Sequence, residues 1–304
     1  MNRRTAGLSD CYRNILLFGA NGQLGTQLST LLASKGKVRA VGHADLDLRD
    51  LAALRALIYE ANPSLIINAA AYTAVDAAES DAATAQLVNA EAPRVMAELA
   101  RERDALLVHY STDYVFDGTA RASYTEDSPV NPLGVYGATK LAGEQAVAAS
   151  GAAHLILRTA WLYSNRGKNF LNTMLRLAAE RDELRVVSDQ TGCPTYANLV
   201  ADTSIQMLDG MFVDASLRTE RCGLYHVACQ GETTWWGFAQ RIIELAGLGE
   251  RVRVLPISTA DYPTPAQRPA YSVLSTAKLE RVFGVRLPDW EDGLKRCLTE
   301  RDAQ

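Results

Sequence analysis

The sequence contains no apolar run approaching the roughly 18–20 residues that cross a bilayer, and no membrane span is read in it. It also lacks the cysteine pattern of a disulfide scaffold or a thiolate metal site. Its five cysteines, Cys11, Cys193, Cys222, Cys229 and Cys297, are scattered, odd in number and without CxxC spacing, which reads as reduced thiols in a cytoplasmic protein. A basic excess is missing too. With 31 Lys and Arg against 35 Asp and Glu the formal charge is -4, which argues against nucleic acid as a partner. There is no internal repeat, no low-complexity tract and no clean linker, and the acidic residues show no metal-ligand spacing. Residues 1–13 are polar, with Leu8 their only large aliphatic. They have the form of neither a signal peptide nor a fold element, and are expected to be a disordered leader or the product of an upstream start codon.

What is present is a chain of 304 residues, 48% of them hydrophobic, enough for a sizeable core. Short apolar runs alternate with helical patterns through its first half. Strands are predicted at 15–18, 38–41, 65–68, 106–110 and 154–159. Between them helices are predicted at 26–34, 51–60, 83–103 (one long alanine-rich helix) and 137–149. Strands alternating with helices of this length predict βαβ units and a parallel sheet, and strands buried on both faces read as unbroken apolar runs, as these do. After Tyr163 the rhythm changes. Helices are predicted at 170–179, 199–208, 234–246 and 290–298, with a strand at 224–228, a polar stretch at 188–195 and a proline-punctuated loop at 261–269. The fold class expected is α/β, a Rossmann-type doubly wound parallel sheet with a smaller, interwoven C-terminal substrate-binding lobe. Residues 14–168 and about 195–228 are assigned to the dinucleotide domain, and about 169–194 and 229–304 to the lobe.

The first strand runs into "GANGQLG", with Gly19, Gly22 and Gly25 spaced G-x-x-G-x-x-G. A glycine turn between a strand and a helix lets backbone N–H groups approach a pyrophosphate, whose charge the helix N-terminus favours. A tight turn without a ligand is the bland alternative. Its place at the head of a βαβ series favours the cradle. The second strand ends in Val41-Gly42-His43, without the carboxylate that would grip an NAD ribose. That permits NADP, with His43 or Arg39 as candidates for its 2′-phosphate, or as plain surface residues.

"YGATK" places Tyr136 and Lys140 four apart on a predicted helix, on one face. "YSTDYVFDG" places Thr112 and Asp113 just beyond the carboxyl end of a strand, where open sheets bind ligands. Carbonyl reduction needs a hydride and a proton. A free tyrosine, with a pKa of about 10, is a weak acid–base catalyst. A neighbouring ammonium lowers that value, and a threonine hydroxyl can orient the carbonyl oxygen. Alone, the Tyr–Lys spacing would pass for a surface helix pair. Joined to the glycine turn and Thr112 it reads as a catalytic set.

Nine segments in order, from "ILLFGANGQLG" through "NAAAYTAVDAAE", "YSTDYVFDG", "YGATKLAGE", "RTAWLY", "SDQTGCPT", "TTWWGFA" and "YPTPAQRPAYS" to "LPDWEDGLKR", carry a resemblance. From Asn14 to about Leu298 the chain resembles the dTDP-4-dehydrorhamnose reductases, a family of extended short-chain dehydrogenase/reductases. The resemblance implies NADPH- or NADH-dependent reduction of the C4 keto group of dTDP-4-dehydro-β-L-rhamnose to dTDP-L-rhamnose, a precursor of surface polysaccharide. It implies Tyr136 as proton donor, Lys140 as its partner and Thr112 as the carbonyl-orienting hydroxyl. Gly19, Asn21, Gly22, Gln23, Leu24 and Gly25, Asp47 and Leu48 at the adenine, and Ala70, Ala71 and Tyr72 in the loop after strand four would line the cofactor, together with Tyr136 and Lys140. Thr112, Asp113, Tyr114, Trp161 and Arg268 would meet the substrate, Trp161 as an aromatic wall (or a core aromatic) and Arg268 at the diphosphate (or a solvated loop arginine). A cytoplasmic homodimer is implied too, and Mg²⁺ stands only as an implication of the resemblance. The chain departs from the family at "PAQRP", where Gln267 replaces the first arginine of "PARRP". Three rivals stay open: another nucleotide-sugar 4-ketoreductase, an epimerase, or a non-catalytic subunit like the regulatory subunit of methionine adenosyltransferase. A 4,6-dehydratase is disfavoured, since Tyr114 stands where that enzyme carries Glu.

Overall fold

The computed structural model describes residues 13–212 and 215–302. Residues 1–12 of the expected leader lie outside them. Five strands lead the chain: β1 (Asn14–Phe18), β2 (Lys37–Val41), β3 (Leu65–Asn68), β4 (Leu106–Thr112) and β5 (His154–Thr159). With the strand Gly223–His226 at one edge they form a sheet in the order Gly223–His226, β5, β4, β3, β1, β2, parallel at every pairing.

Alternation along each strand builds two cores. Ile15, Leu17, Leu65, Ile67, Leu106 and Val108 face one way and pack against Leu24, Leu28, Val200 and Leu208. Leu16, Phe18, Ile66 and Leu107 face the other and pack against Leu54, Ile58, Val95 and Leu99. The period of two in side-chain direction therefore makes a sheet with helices on both faces, the doubly wound α/β architecture. Edge position explains why β2, with Lys37 and Arg39 exposed, is the least apolar of the five.

Four differences from the sequence reading bear on the site. Helix α1 (Gln23–Leu32) starts inside the glycine turn, with Gly22 as its N-cap, three residues before the expected start. Thr112 is the last residue of β4 rather than a residue beyond it. The "NAAAYTAVD" loop follows the third strand in chain order, there being no described strand between β2 and β3. Finally, the expected single helix at 83–103 is three segments, Ala82–Gln86, a π-turn at Leu87–Glu91, and Ala92–Glu102. Pro93 lies in the turn after Asn89 and has no N–H to offer the carbonyl one turn back. A Cβ on Gly143 of the Val135–Ala149 helix would come within 2.1 Å of the Asn89 carbonyl oxygen, so only glycine lets the two helices meet there.

The second half holds elements the sequence reading missed. Three short pairings, Leu162–Tyr163 with Thr195–Tyr196, Glu183–Val187 with Arg253–Ile257, and Thr191–Gly192 with Thr233–Thr234, join segments far apart in sequence. Short helices Ala215–Arg221 and Ala277–Phe283 were also unread. The helix Ala197–Phe212 packs beside α1 on the sheet.

Arg158 on β5 and Glu144 on the Val135–Ala149 helix form a bidentate pair, Nε to Oε1 2.8 Å and Nη2 to Oε2 2.6 Å, with side chains 3% and 5% exposed. The guanidinium also sits 5.1 Å from the Phe116 ring centroid. Removing one partner leaves a buried, uncompensated charge, which costs about 3–5 kcal/mol. Glu144→Ala is therefore expected to lower unfolding free energy by about that amount in denaturant titration, and the double variant Glu144→Leu/Arg158→Met to recover most of it.

Candidate active site

A cleft of about 1060 Å³ opens at the carboxyl ends of the strands, where open α/β sheets bind ligands. Its floor is the glycine turn. Gly19 has φ +77, and a Cβ there would lie 2.6 Å from the Ala69–Ala70 peptide, so the turn can close against the β3 loop only with glycine. Gly25 has a different task. Its Cβ would fall 2.0 Å from the Gly19 oxygen, which makes it the contact that seats α1 on the turn. Asn21, Gly22, Gln23 and Leu24 line the cleft with Gly19, whereas Gly25 does not. The first turn of α1 thus presents its unpaired N–H groups to the cavity, as a pyrophosphate requires. The cavity lies at the top of the usual small-molecule range of about 300–1,000 Å³, room for a dinucleotide beside a nucleotide sugar. The fit is to a nicotinamide dinucleotide.

At one end of the cleft stand Gly42, His43, Leu46, Asp47, Leu48 and Arg49, with Ala70, Ala71 and Tyr72 beside them. Asp47 accepts from the backbone and side chain of Arg49, at 2.9 and 2.8 Å, and Arg49 holds its carboxyl down at about 2. Arg39, a sequence candidate for a 2′-phosphate, pairs instead with Glu60 at 3.1 Å and does not line the cleft. It follows the alternation of an edge strand away from the site. His43 does line it. Arg49, which the sequence reading did not single out, is the arginine there. The Tyr72 backbone is held by Asn89, whose carboxamide takes the Tyr72 N–H at 2.8 Å and donates to the Tyr72 carbonyl at 3.2 Å and to Thr139 Oγ1 at 3.1 Å.

At the other end lie Thr112, Asp113, Tyr114, Tyr136 and Lys140. Thr112 donates to Asp113 Oδ1 at 3.1 Å and accepts the Tyr114 N–H at 3.2 Å. The rings of Tyr114 and Tyr136 meet edge to face, centroids 5.7 Å apart. Burial pushes the Tyr136 hydroxyl up to about 12; its interaction with the Thr112 hydroxyl opposes this and the Asp113 charge adds to it. Burial lowers Lys140 to about 8, against the pull of Glu144. The expected Lys–Tyr electrostatic coupling is not what sets Tyr136 here. The Lys140 ammonium donates to the Tyr110 carbonyl at 2.6 Å and faces His109 Nε2 at 3.5 Å. The spacing on the helix places both residues in the cleft, but it is the Tyr110 carbonyl of β4 that accepts the lysine's hydrogen bond.

Trp161 and Trp235 both line the cleft and stack face to face, 3.5 Å between centroids at 4°. Trp161 has φ +46, a left-handed conformation that costs a bulky residue and persists only where the surroundings enforce it. Trp235 was not singled out from the sequence, because an aromatic in a helix pattern reads as core. Arg268 is not among the lining residues. It is half-buried, donates to Asp76 Oδ2 at 2.8 Å and to the Ala266 carbonyl at 3.3 Å, and interacts with the Tyr114 hydroxyl. Among the described residues no group of three or more His, Cys, Asp or Glu is arranged to hold a metal ion, and no helix is long and apolar enough to cross a membrane.

A doubly wound sheet, a glycine turn opening α1, and a Thr–Tyr–Lys set at the opposite end of one cleft define an extended short-chain dehydrogenase/reductase. The comparisons are narrower. The family model described as RmlD substrate binding domain matches residues 13–303. The dTDP-4-dehydrorhamnose reductase of Burkholderia thailandensis is 45% identical over 296 residues, 95% of this chain and 99% of that protein. Among solved structures, a dTDP-4-dehydrorhamnose reductase of Clostridium acetobutylicum superposes with a TM-score of 0.87 at 39% identity, covering 95% of this chain and 99% of its own. That of Bacillus anthracis, solved in complex with NADP, gives 0.84 at 37% identity with the same coverage. The chain belongs to the dTDP-4-dehydrorhamnose reductase family.

Burial raises the Asp113 carboxyl from 3.8 to about 6, against bonds from Ser272 and Thr112. The folded state therefore binds this proton more tightly than the unfolded chain, and the group's contribution to stability falls as pH rises from about 4 to about 6. Asp113→Asn is expected to be more stable than wild type at pH 7, by on the order of 2–3 kcal/mol, with the advantage fading toward pH 4. Denaturant titrations at the two pH values check this.

Proposed function

We propose that the protein reduces the C4 keto group of dTDP-4-dehydro-β-L-rhamnose to dTDP-L-rhamnose with NADPH or NADH. The observation that carries the reading is the placement of Thr112, Tyr136 and Lys140 in the same cleft as the glycine turn. Gly19, Asn21, Gly22, Gln23 and Leu24 hold the dinucleotide's phosphates, Asp47 and Leu48 its adenosine, and Ala70, Ala71 and Tyr72 its flank. When bound, the reduced nicotinamide supplies hydride equivalents. The Thr112 hydroxyl orients the sugar carbonyl. Tyr136, protonated across the neutral range because burial raises it, gives its proton to the developing alkoxide, and Lys140, charged below about 8, steadies the phenolate left behind. Trp161 walls the sugar, and Arg268, by the family resemblance, meets the diphosphate on exchanging its bond to Asp76.

Reduction is preferred to elimination because Tyr114 follows Asp113. Burial raises the Tyr114 hydroxyl further above its ordinary value, so it is neutral and cannot take the part of a carboxylate. β2 itself ends without a carboxylate, but Asp45 binds the Gly42 N–H just beyond it at 2.7 Å; NADPH is accepted with Arg49 rather than a bare strand end as its counter-charge, and NADH is the alternative. The remaining parts of the reading are a cytoplasmic homodimer, which follows from the family resemblance, and a smaller, interwoven substrate-binding lobe formed by about 169–194 and 229–304, which follows from the change of rhythm along the chain.

Incubation with dTDP-4-dehydrorhamnose is expected to oxidise one NAD(P)H per sugar converted, with no reaction on dTDP-glucose. A 4-keto-6-deoxy product from dTDP-glucose would replace the reductase with a dehydratase. Tyr136→Phe is expected to keep the fold and cofactor binding, measured by fluorescence titration, and to lose about 10²–10⁴-fold in kcat.

A further inference from the structure

A buried polar chain runs from Asn68 through His109 to Lys140, and its first two members have no part in the chemistry described so far. All three side chains are buried. Asn68 ends β3, His109 lies in β4 opposite it in register, and Lys140 reaches in from the Val135–Ala149 helix.

Donor and acceptor roles along this chain follow from one fixed point. The Ala70 backbone N–H can only donate, and it lies 3.2 Å from Asn68 Oδ1. That orients the carboxamide and turns its Nδ2 toward His109 Nδ1, 3.1 Å away. An amide nitrogen has hydrogens and no acceptor, so His109 Nδ1 must accept. Burial, with the Lys140 charge second, holds His109 neutral, well below its usual range. A neutral imidazole that accepts at Nδ1 carries its proton on Nε2. His109 Nε2 faces Lys140 Nζ at 3.5 Å.

An N–H pointed at a lysine nitrogen is an unusual contact. An ammonium has three hydrogens and no lone pair, so two donors would face each other. A neutral amine has a lone pair that the imidazole N–H can meet, while one of its own hydrogens still serves the Tyr110 carbonyl at 2.6 Å.

We propose that His109, oriented by Asn68, is a positioning residue that presents Nε2–H to Lys140 and favours its neutral amine, so that the Lys140 proton is transferable at neutral pH. The consequence for turnover rests on the reductase reading. Each reduction leaves Tyr136 as phenolate. The Lys140 N–H bond breaks, the Tyr136 O–H bond forms, and the neutral amine meets the His109 N–H until solvent water returns a proton to it. The groups around Lys140 bear on this balance: Tyr136 and Glu144 on its own helix, His109 on β4, Asp113 just past β4, and Arg158 on β5, which is bound to Glu144. Glu144 favours the charged lysine, and burial outweighs it.

The test needs neither cofactor nor substrate. Nitrogen NMR of protein with isotope-labelled histidine and lysine, assigned with His109→Gln and Lys140→Met, reads the His109 tautomer and the Lys140 titration directly. In the wild-type protein Nε2 is expected to carry the proton, with Lys140 titrating near the value of about 8 that its burial sets. Asn68→Asp offers acceptors on both sides, so the His109 proton is expected to move to Nδ1, and the proton affinity of Lys140 to rise at least about tenfold, one pKa unit. An Nδ1-protonated His109 in the wild-type protein overturns the proposal without recourse to any variant. So does an Asn68→Asp protein in which the tautomer switches and the Lys140 midpoint stays where it was. Either result leaves the reductase reading standing, whereas failure to reduce the keto sugar would leave the NMR result intact.

Discussion

A buried ion pair decides where the reacting groups can be. Glu144 lies one turn beyond Lys140 and two beyond Tyr136, so the three share a stripe of one helix. Arg158 grips Glu144 through two bonds from the penultimate position of β5, which fixes the rotation of that helix against the sheet. The stripe then faces the carboxyl ends of β4 and β5, where Thr112 and Thr159 stand in register. The charge pair is expensive to bury. What it provides is a single allowed orientation for the two side chains on which the proposed chemistry depends.

Burial then orders the proton affinities of the cleft. Free tyrosine and lysine titrate close together, at about 10 and 10.4. Inside the protein they separate, Tyr136 moving up to about 12 and Lys140 down to about 8. A tyrosine that keeps its proton and a lysine that parts with one more readily suit a site that protonates an alkoxide. Asp113, raised to about 6 beside them, is still largely ionised at neutral pH and contributes to the high Tyr136 value. The site is thus poised by desolvation first and by specific partners second.

Much of this was legible in the sequence, and for local reasons. Gly19 and Gly25 are required by contacts within a few residues of the turn or with the adjacent loop, so their spacing announces them. Tyr136 and Lys140 share a face of one helix, and Thr112 ends one strand. What could not be read depends on distant segments. Asn89 is positioned by a π-turn that interrupts an otherwise regular helical pattern. Trp235 reaches the cleft only because Thr233–Thr234 pairs with Thr191–Gly192. His109 sits in an apolar run whose alternation hides which neighbour it meets. Arg39 was a candidate for the phosphate by its place on β2, but the pleat sends it to Glu60, and Arg49 stands in the cleft beyond. The family resemblance supplied roles for Trp161 and Arg268, and the structure adds that one is held strained on Trp235 and the other engaged by Asp76.

Hydride delivered in this cleft goes to the C4 carbon of a dTDP-ketosugar, and a proton to its oxygen. The most direct measurement uses dTDP-4-dehydrorhamnose with NADPH deuterated at the transferable nicotinamide position, followed by NMR of the sugar product. The expected result is deuterium bound at C4 of a 6-deoxy sugar in step with cofactor oxidation. Deuterium retained on the cofactor, or found at C6 of a sugar that still carries its keto group, would rule out C4 reduction in this cleft.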